Sequence, residues 1–451
     1  MRVQYQTFGC KANQYDTERI RQEVEARGFP TVDPQGDPDV VVVNSCTVTS
    51  QADADARRYA RRVQRRHPQA KVVMAGCSAA LHGERYRALP SISSVVPGHD
   101  PVAVAGAVAQ AMDGGGPPLV QLGTSVQLQH MDLEPVAGEI LTRRTGGTRG
   151  WLKVQDGCDR KCAFCATRLA RGASRSRPEE MVVTEARALA RFHPELVITG
   201  IHIGHYGRDL TEPSSLSRLV ARLLDEVPDV RFRLGSIEAT EVDDLLLRLL
   251  SDSRRRLVPH LHMPLQSGAD PVLKAMRRWH TREMYRDRAL EVAESLGVGA
   301  GGALGMGADI ITGFPGETDA HHEDTVRLVE ELPFTYLHVF PFSPREGTPA
   351  AELAQENPVP QRVAAERAKE LREVGVGKGE SYLASRVGSR VEVVVERERP
   401  DGTALGLTED YLRLPVEGSR RGEGPRLWPG TIERAGDRFF VTAGSAQGGF
   451  W

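Results

Sequence analysis

The 451-residue chain has no uninterrupted apolar run near the roughly 20 residues that a helical bilayer span needs. Its first residues, Met1-Arg-Val-Gln-Tyr-Gln-Thr-Phe8, lack the apolar stretch of a secretory signal. Charge of one sign is also missing: 58 Lys and Arg against 60 Asp and Glu leave a net −2, so nucleic-acid binding has to rest on local patches. With 40% hydrophobic residues this is the composition of a globular protein, expected in the cytoplasm and away from membranes. Its length exceeds one ordinary core, so two or three domains are expected.

Cysteine is scarce. Six are present, too few and too widely placed for the disulfide framework of a small secreted chain. Three of them stand in Gly157-Cys158-Asp-Arg-Lys-Cys162-Ala-Phe164-Cys165, a C-x3-C-x2-C run behind the strand-like segment Trp151–Gln155. Thiolates at this spacing can wrap one face of a cubic 4Fe–4S cluster, and with no fourth cysteine one iron keeps an open position. Zinc sites and ferredoxin runs both call for a fourth ligand, which this run does not supply.

The other three cysteines follow a pattern repeated three times: a short apolar strand, a glycine or small polar residue, then cysteine. Val3–Cys10, Val40–Cys46 and Val72–Cys77 are the units, with helices expected over Thr17–Arg27 and Asp53–Arg66. Alternating strands and helices imply a parallel sheet, and ligands sit at the carboxyl ends of such strands. One cysteine there would read as a small buried residue. Three at one sheet edge read as a second three-thiolate centre.

From Asp113 to Arg143 the chain turns Gly/Pro-rich and loses periodicity, as a linker does. Strand segments then recur near 196–203, 230–235, 257–265, 307–311 and 336–340, with helices near 184–192, 216–226, 242–250, 282–296 and 319–331. With the strand before Cys158 these make six βα units, a partial or closed barrel whose C-terminal loops carry the chemistry. Those loops hold Gly200, Glu238, Gln266 and Asp309, glycine or polar groups able to hold a ribose, amine or carboxylate. His260 and His262 suggest a metal, but their i,i+2 spacing on a strand is read instead as packing or a polar site wall. Arg171, Arg175 and Arg177 follow the cysteine run and are read either as a solvated face or as phosphate contacts. After a helix over Gln361–Val374, short glycine-punctuated strands suggest a small β-barrel of the oligonucleotide-binding sort, in which Tyr411 either stacks on a base or packs the barrel.

The cysteine run with Phe164 before its last member resembles the radical S-adenosylmethionine (SAM) enzymes. Gly9-Cys10-Lys11-x-Asn13-Gln14-Tyr15 and Asn44-Ser45-Cys46-Thr47-Val48-Thr49 resemble the N-terminal domain of the radical SAM methylthiotransferases, and Thr408-Glu-Asp-Tyr411 resembles a turn of the TRAM domain. The first of these motifs is most similar to the branch acting on threonylcarbamoyladenosine in tRNA. The resemblance covers essentially the whole chain and implies an N-terminal α/β parallel-sheet domain (1–112), a linker (113–143), a radical SAM partial (βα)6 barrel (144–379) and a C-terminal TRAM-like β-barrel (380–451). Ala166–Leu169 and the glycine-rich 299–307 depart from the family pattern near the substrate cavity.

The resemblance further implies two 4Fe–4S clusters, one on Cys158, Cys162 and Cys165 and an auxiliary one on Cys10, Cys46 and Cys77. SAM would be held by Phe164, Gly200, Glu238, Gln266 and Asp309. The implied scheme passes one electron to SAM to make a 5′-deoxyadenosyl radical, with sulfur from the auxiliary cluster entering at C2 of the adenosine beside the anticodon (position 37). It needs a tRNA anticodon loop, an electron donor of the flavodoxin or ferredoxin sort and a sulfur source. The alternatives are isopentenyladenosine tRNA or a ribosomal-protein aspartate as substrate, and a non-catalytic Fe–S RNA-binding or electron-transfer protein.

Overall fold

The computed structural model describes residues 2–33, 35–112, 140–252, 256–398, 404–418 and 427–443. Strands β1 (Val3–Thr7), β2 (Val40–Ser45), β3 (Lys71–Gly76) and β4 (Ser94–Val95) pair in parallel, in that order. β2 is central and buried on both faces, which is why it reads as a run of valines. Its side chains alternate: Val40 and Val42 pack with Ile20, Val24, Val104 and Val108 on one face, Val41 and Val43 with Ala56, Ala60 and Val63 on the other.

The first helix, Lys11–Ala26, starts six residues earlier than its apolar periodicity suggests, because its first turns bury polar groups. Asn13, Asp16 and Thr17 are buried there, and a polar buried face leaves no hydrophobic signature. The second helix, Ser50–Arg66, opens on Thr49, whose side chain accepts the Ala52 N–H.

The barrel contains β5 (Gly150–Lys153), the short antiparallel pair β6 (Gln155–Asp156) and β7 (Arg175–Ser176), then β8 (Glu195–Thr199), β9 (Arg231–Leu234), β10 (His260–His262), β11 (Gly305–Thr312) and β12 (Tyr336–Pro341). β5, β8 and β9 form one parallel sheet and β10, β11 and β12 another, bridged in parallel at Phe232–Leu257 and Ser236–His262. One hydrophobic core runs through all six long strands. Among the described residues β12 makes no ladder with β5, so the barrel is partial. The Lys11–Ala26 helix packs on the edge strand β5: Tyr15 belongs to the barrel core and its hydroxyl donates to Glu185 (3.0 Å), while Lys153 Nζ reaches Asp16 (2.7 Å).

Residues 113–139 of the expected linker lie outside the described residues. Its last residues pack on the structure: the Ile140 carbonyl accepts from Arg19 and Gln22, and Leu141 is buried in the barrel core.

The helix Gln361–Ser385 continues past Val374 and leads into a closed barrel of β13 (Arg390–Glu398), β14 (Ala404–Leu407), β15 (Arg413–Glu417), β16 (Leu427–Ala435) and β17 (Arg438–Ala443), ordered β13-β14-β15-β17-β16. Its Thr408–Tyr411 turn plugs the N-terminal end of the large barrel. Arg233 donates to the Thr408 and Glu409 carbonyls (2.9 and 3.0 Å), Arg231 to Leu407 (3.2 Å), and the Tyr411 ring stacks on His260 at 4.2 Å. Both arginines converge on Glu195, at 2.7 and 2.9 Å, with no solvent access. Although burial alone would raise its pKa, Arg233, Arg231 and Arg149 hold this carboxyl far below the ordinary glutamate range. Replacing Glu195 with Ala strands buried guanidinium groups and is expected to cost about 3–5 kcal/mol of stability in denaturant melts of the full chain. A loss under about 1 kcal/mol would contradict this account.

Candidate functional site

The two cysteine trios are joined through the short helix Thr167–Arg171, whose Thr167 N–H donates to Cys165 Sγ and whose Arg171 Nε donates to Cys77 Sγ. Cys10 stands at the N-cap of the first helix, Cys46 follows β2, and Cys77 opens the helix after β3, all at carboxyl strand ends of one sheet. Asn13 Oδ1 lies 4.0 Å from Cys10 Sγ and 3.7 Å from Cys77 Sγ. Its Nδ2 donates to the Phe8 and Ser45 carbonyls (2.9 and 3.0 Å), which fixes the carboxamide between the strands. Gly9, at φ +104°, brings the chain so close to Cys46 that a Cβ would sit 2.7 Å from its Sγ. Only a residue without a side chain admits that approach in this conformation.

Cys158, Cys162 and Cys165 lie in the β6–β7 connection. Gly157 turns the chain at φ +68° against the Ala173 carbonyl, the Cys158 N–H donates to Gly172 (3.1 Å), and Ala163 is pinned by Met276 O and Ala350 N (both 2.9 Å). Phe164 packs into the small apolar cluster of Val272, Met276 and Phe314.

All six thiols are free of disulfides. Burial pushes Cys46 and Cys158 up to about 12 and raises Cys77 and Cys162, so iron has to displace protons here. Each trio also has N–H groups aimed at sulfur: Val48 N to Cys46 (3.4 Å), Arg171 Nε to Cys77 (3.2 Å), Thr167 N to Cys165 (3.4 Å) and Arg278 Nη1 to Cys162 (3.6 Å). Such donors stabilise ligating thiolates, and three sulfurs without a fourth fit a cluster with one open iron.

The remaining expected residues sit on the strand-end loops. Gly200 follows β8 and backs onto the Gln155 carbonyl. Burial raises Glu238, and Arg278, ion-paired with it, opposes that rise. Gln266 takes φ +70° and exchanges backbone hydrogen bonds with β11, its N–H donating to Asp309 O (2.8 Å) and its carbonyl accepting from Ile311 (2.9 Å). Asp309 is bracketed by His262 (3.1 Å) and His338 (3.3 Å); burial opposes ionisation, but hydrogen bonds from both imidazoles outweigh it and keep the carboxylate ionised. His262 and His260 both share the Tyr336 hydroxyl (3.1 and 2.8 Å), so the pair forms a polar wall of the barrel interior.

Three expected RNA contacts are corrected. Arg171 and Arg177, 1% and 2% exposed, are locked to Asp156 with Asp16 and to Glu185, and Tyr411 is packed against His260 and Tyr336. Buried, ion-paired guanidinium groups cannot reach phosphate. Arg175 is half-buried, with Nη2 donating to the Arg171 carbonyl (3.2 Å).

Several site residues escaped the sequence reading. Arg278 joins Cys162 to Glu238, and Trp279 stacks beneath the guanidinium groups of Arg278 and Arg160 at 4.2 and 3.8 Å. His202 lies 3.5 Å from Cys158 Sγ and binds Glu241 at 2.9 Å. Arg345 reaches across to Thr47 (2.6 Å) and Asp53, tying the loop after Cys46 to the barrel. The run Arg277-Arg-Trp-His280 was the visible signal for the first pair; nothing local marks the others.

A parallel βα barrel with three thiols behind its first strand defines a radical SAM enzyme, and the Radical SAM superfamily model matches residues 152–329. The structure of the radical S-adenosylmethionine methyltransferase TsrM from Kitasatospora setae shares the fold, with a TM-score of 0.57 at 16% identity over 83% of this chain and 84% of that one. Residues 2–98 match the model described as Uncharacterized protein family UPF0004. The threonylcarbamoyladenosine tRNA methylthiotransferase MtaB of Rickettsia prowazekii is 34% identical over 92% of this chain and 92% of its own length, and that of Thermotoga maritima 35% over 93% and 92%. The chain therefore belongs to the radical SAM methylthiotransferase family, on the threonylcarbamoyladenosine tRNA branch.

Proposed function

We propose that this enzyme adds a methylthio group to C2 of N6-threonylcarbamoyladenosine at position 37, beside the anticodon of tRNA. The observation that carries the reading is the convergence of two thiol trios, from two domains, on one barrel mouth. Cys158, Cys162 and Cys165 hold one 4Fe–4S cluster and Cys10, Cys46 and Cys77 the other. Bound clusters and SAM supply the one-electron and sulfur chemistry that a purine C2–H demands, since that bond is beyond the reach of a positioned acid or base.

The chain's own residues bind, orient and exclude water. Phe164 backs the cysteine loop, and Gly200 leaves the end of β8 open to SAM. Glu238 offers a carboxylate oriented by Arg278, Gln266 its strained backbone, and Asp309 a carboxylate kept ionised by His262 and His338. Arg175, half-buried in the strand after the cysteine loop, is the arginine of its set that keeps solvent exposure, which supports reading it as a contact to the anticodon loop, where an unpaired base enters a pocket at low unstacking cost. The reaction draws electrons from a flavodoxin-like or ferredoxin-like donor and sulfur from a separate source. No helix among the described residues is long and apolar enough to cross a membrane, in keeping with work on tRNA in the cytoplasm.

Mass spectrometry of tRNA nucleosides from a deletion strain tests the substrate. The 2-methylthio form of threonylcarbamoyladenosine is expected to vanish while its unthiolated precursor accumulates. Loss of methylthiolated isopentenyladenosine or of a ribosomal-protein modification instead would reassign the substrate.

A further inference from the structure

We propose that Arg171 is the positioning residue of the auxiliary cluster, donating from the barrel domain to a cluster-ligating thiolate of the other domain and so setting that cluster's reduction potential. This rests on the assignment of Cys10, Cys46 and Cys77 as cluster ligands. The guanidinium is buried, and each of its three nitrogens has a partner. Nε points at Cys77 Sγ (3.2 Å). Nη1 lies on Asp156 (2.8 and 3.0 Å) and near His99 (3.4 Å), and Nη2 lies on Asn13 Oδ1 (2.6 Å) and Asp16 (2.7 Å).

Two features set this apart from an ordinary buried ion pair. The first is charge. Asp16 and Asp156 are each also bound by Lys153 (2.7 and 2.6 Å), so two carboxylates already face two cations. The group is balanced without Cys77, and a thiolate at Cys77 adds a negative charge on the one guanidinium edge that faces sulfur. The second is connectivity. Arg171 ends the five-residue helix Thr167–Arg171, and the first N–H of that helix, from Thr167, donates to Cys165 Sγ (3.4 Å). One rigid element is thus hydrogen-bonded to a thiolate of each trio, one at either end. At a rise of about 1.5 Å per residue it spans roughly 7 Å, so one short element holds a hydrogen-bonded sulfur of each trio.

Hydrogen bonds to the sulfurs of an iron–sulfur cluster are among the determinants of its potential. Donation to Cys77 favours the reduced, more negative cluster, so its loss moves the midpoint to a more negative value. Lysine at this position keeps the positive charge that Asp16 and Asp156 require but cannot place a donor where Nε stands.

The test uses the full-length chain carrying Cys158→Ala, Cys162→Ala and Cys165→Ala, so that the auxiliary cluster is alone, with and without Arg171→Lys. Iron is measured first: about four irons per chain are expected in the parent, and their absence there overturns the cluster assignment itself. A redox titration followed by electron paramagnetic resonance then tests Arg171. At a fixed ambient potential the reduced-to-oxidised ratio is expected to fall about tenfold in Arg171→Lys, which is about 59 mV for a one-electron couple. An unchanged midpoint with iron retained overturns the proposal and leaves Arg171 as an interdomain ion pair. Should the lysine variant not fold, the parent chain labelled with 15N-arginine gives the answer. A 15N hyperfine coupling to the reduced cluster is expected, and its absence overturns the proposal equally.

Discussion

Replacing any one of Cys158, Cys162 and Cys165 with alanine is expected to abolish release of 5′-deoxyadenosine from SAM and to lower iron from about eight to about four per chain. The effect is all-or-none because no other cysteine can take over. Ala163 is tied to Met276 and Ala350 on either side, and Gly157 clamps the start of the loop against Ala173, so the loop cannot shift a ligand into the gap. The other three thiols belong to a different domain, where Cys10 and Cys77 lie beside Asn13 and Cys46 lies against Gly9. The measurement is deoxyadenosine formed under reducing conditions, alongside iron and sulfide content. Cleavage at the wild-type rate by any of the three variants would remove the basis for the whole mechanism.

Replacing Cys46 with alanine is expected to do the reverse: SAM cleavage persists while methylthiolation of tRNA falls to background. Cys46 is buried behind Gly9 and accepts the Val48 N–H, so it sits within the N-terminal sheet's own thiol group and outside the loop that carries Cys158, Cys162 and Cys165. Losing one of three ligands removes the sulfur-supplying centre and leaves the barrel with its own cluster intact. Chromatography of the two products in one reaction mixture reads both activities at once. Thiolation retained by this variant would show that the N-terminal trio is not the source of sulfur. Loss of both activities would show instead that the two centres are not separable, as would follow if the N-terminal sheet were needed to keep the partial barrel folded along its open edge.

Much of this was legible in one dimension. Three units of apolar strand, glycine or small polar residue, and cysteine announced a parallel sheet with three thiols at one edge, because a buried parallel strand must be almost wholly apolar and its ligands must follow it. The start of the first helix was not legible: Asn13, Tyr15 and Asp16 face another domain, and polar residues buried by tertiary contact carry no periodic signal. The arginines after the cysteine run show the same limit more sharply. In sequence Arg171, Arg175 and Arg177 are an exposed-looking basic stretch; in space two of them lose all solvent, because the carboxylates that neutralise them come from positions 16, 156 and 185.

The spacing of cysteines, the valine-rich strands and the six βα units announced by themselves the alternation of strands and helices and the grouping of the thiols into two trios, since both depend on residues close together in the chain. Which trio faces which, how one short helix touches both, and which charges are neutralised inside were decided only by folding. Those outcomes depend on pairs such as Arg171 with Cys77 and Arg345 with Thr47, 94 and 298 residues apart, and desolvation lets such a charge persist only where its distant partner actually arrives.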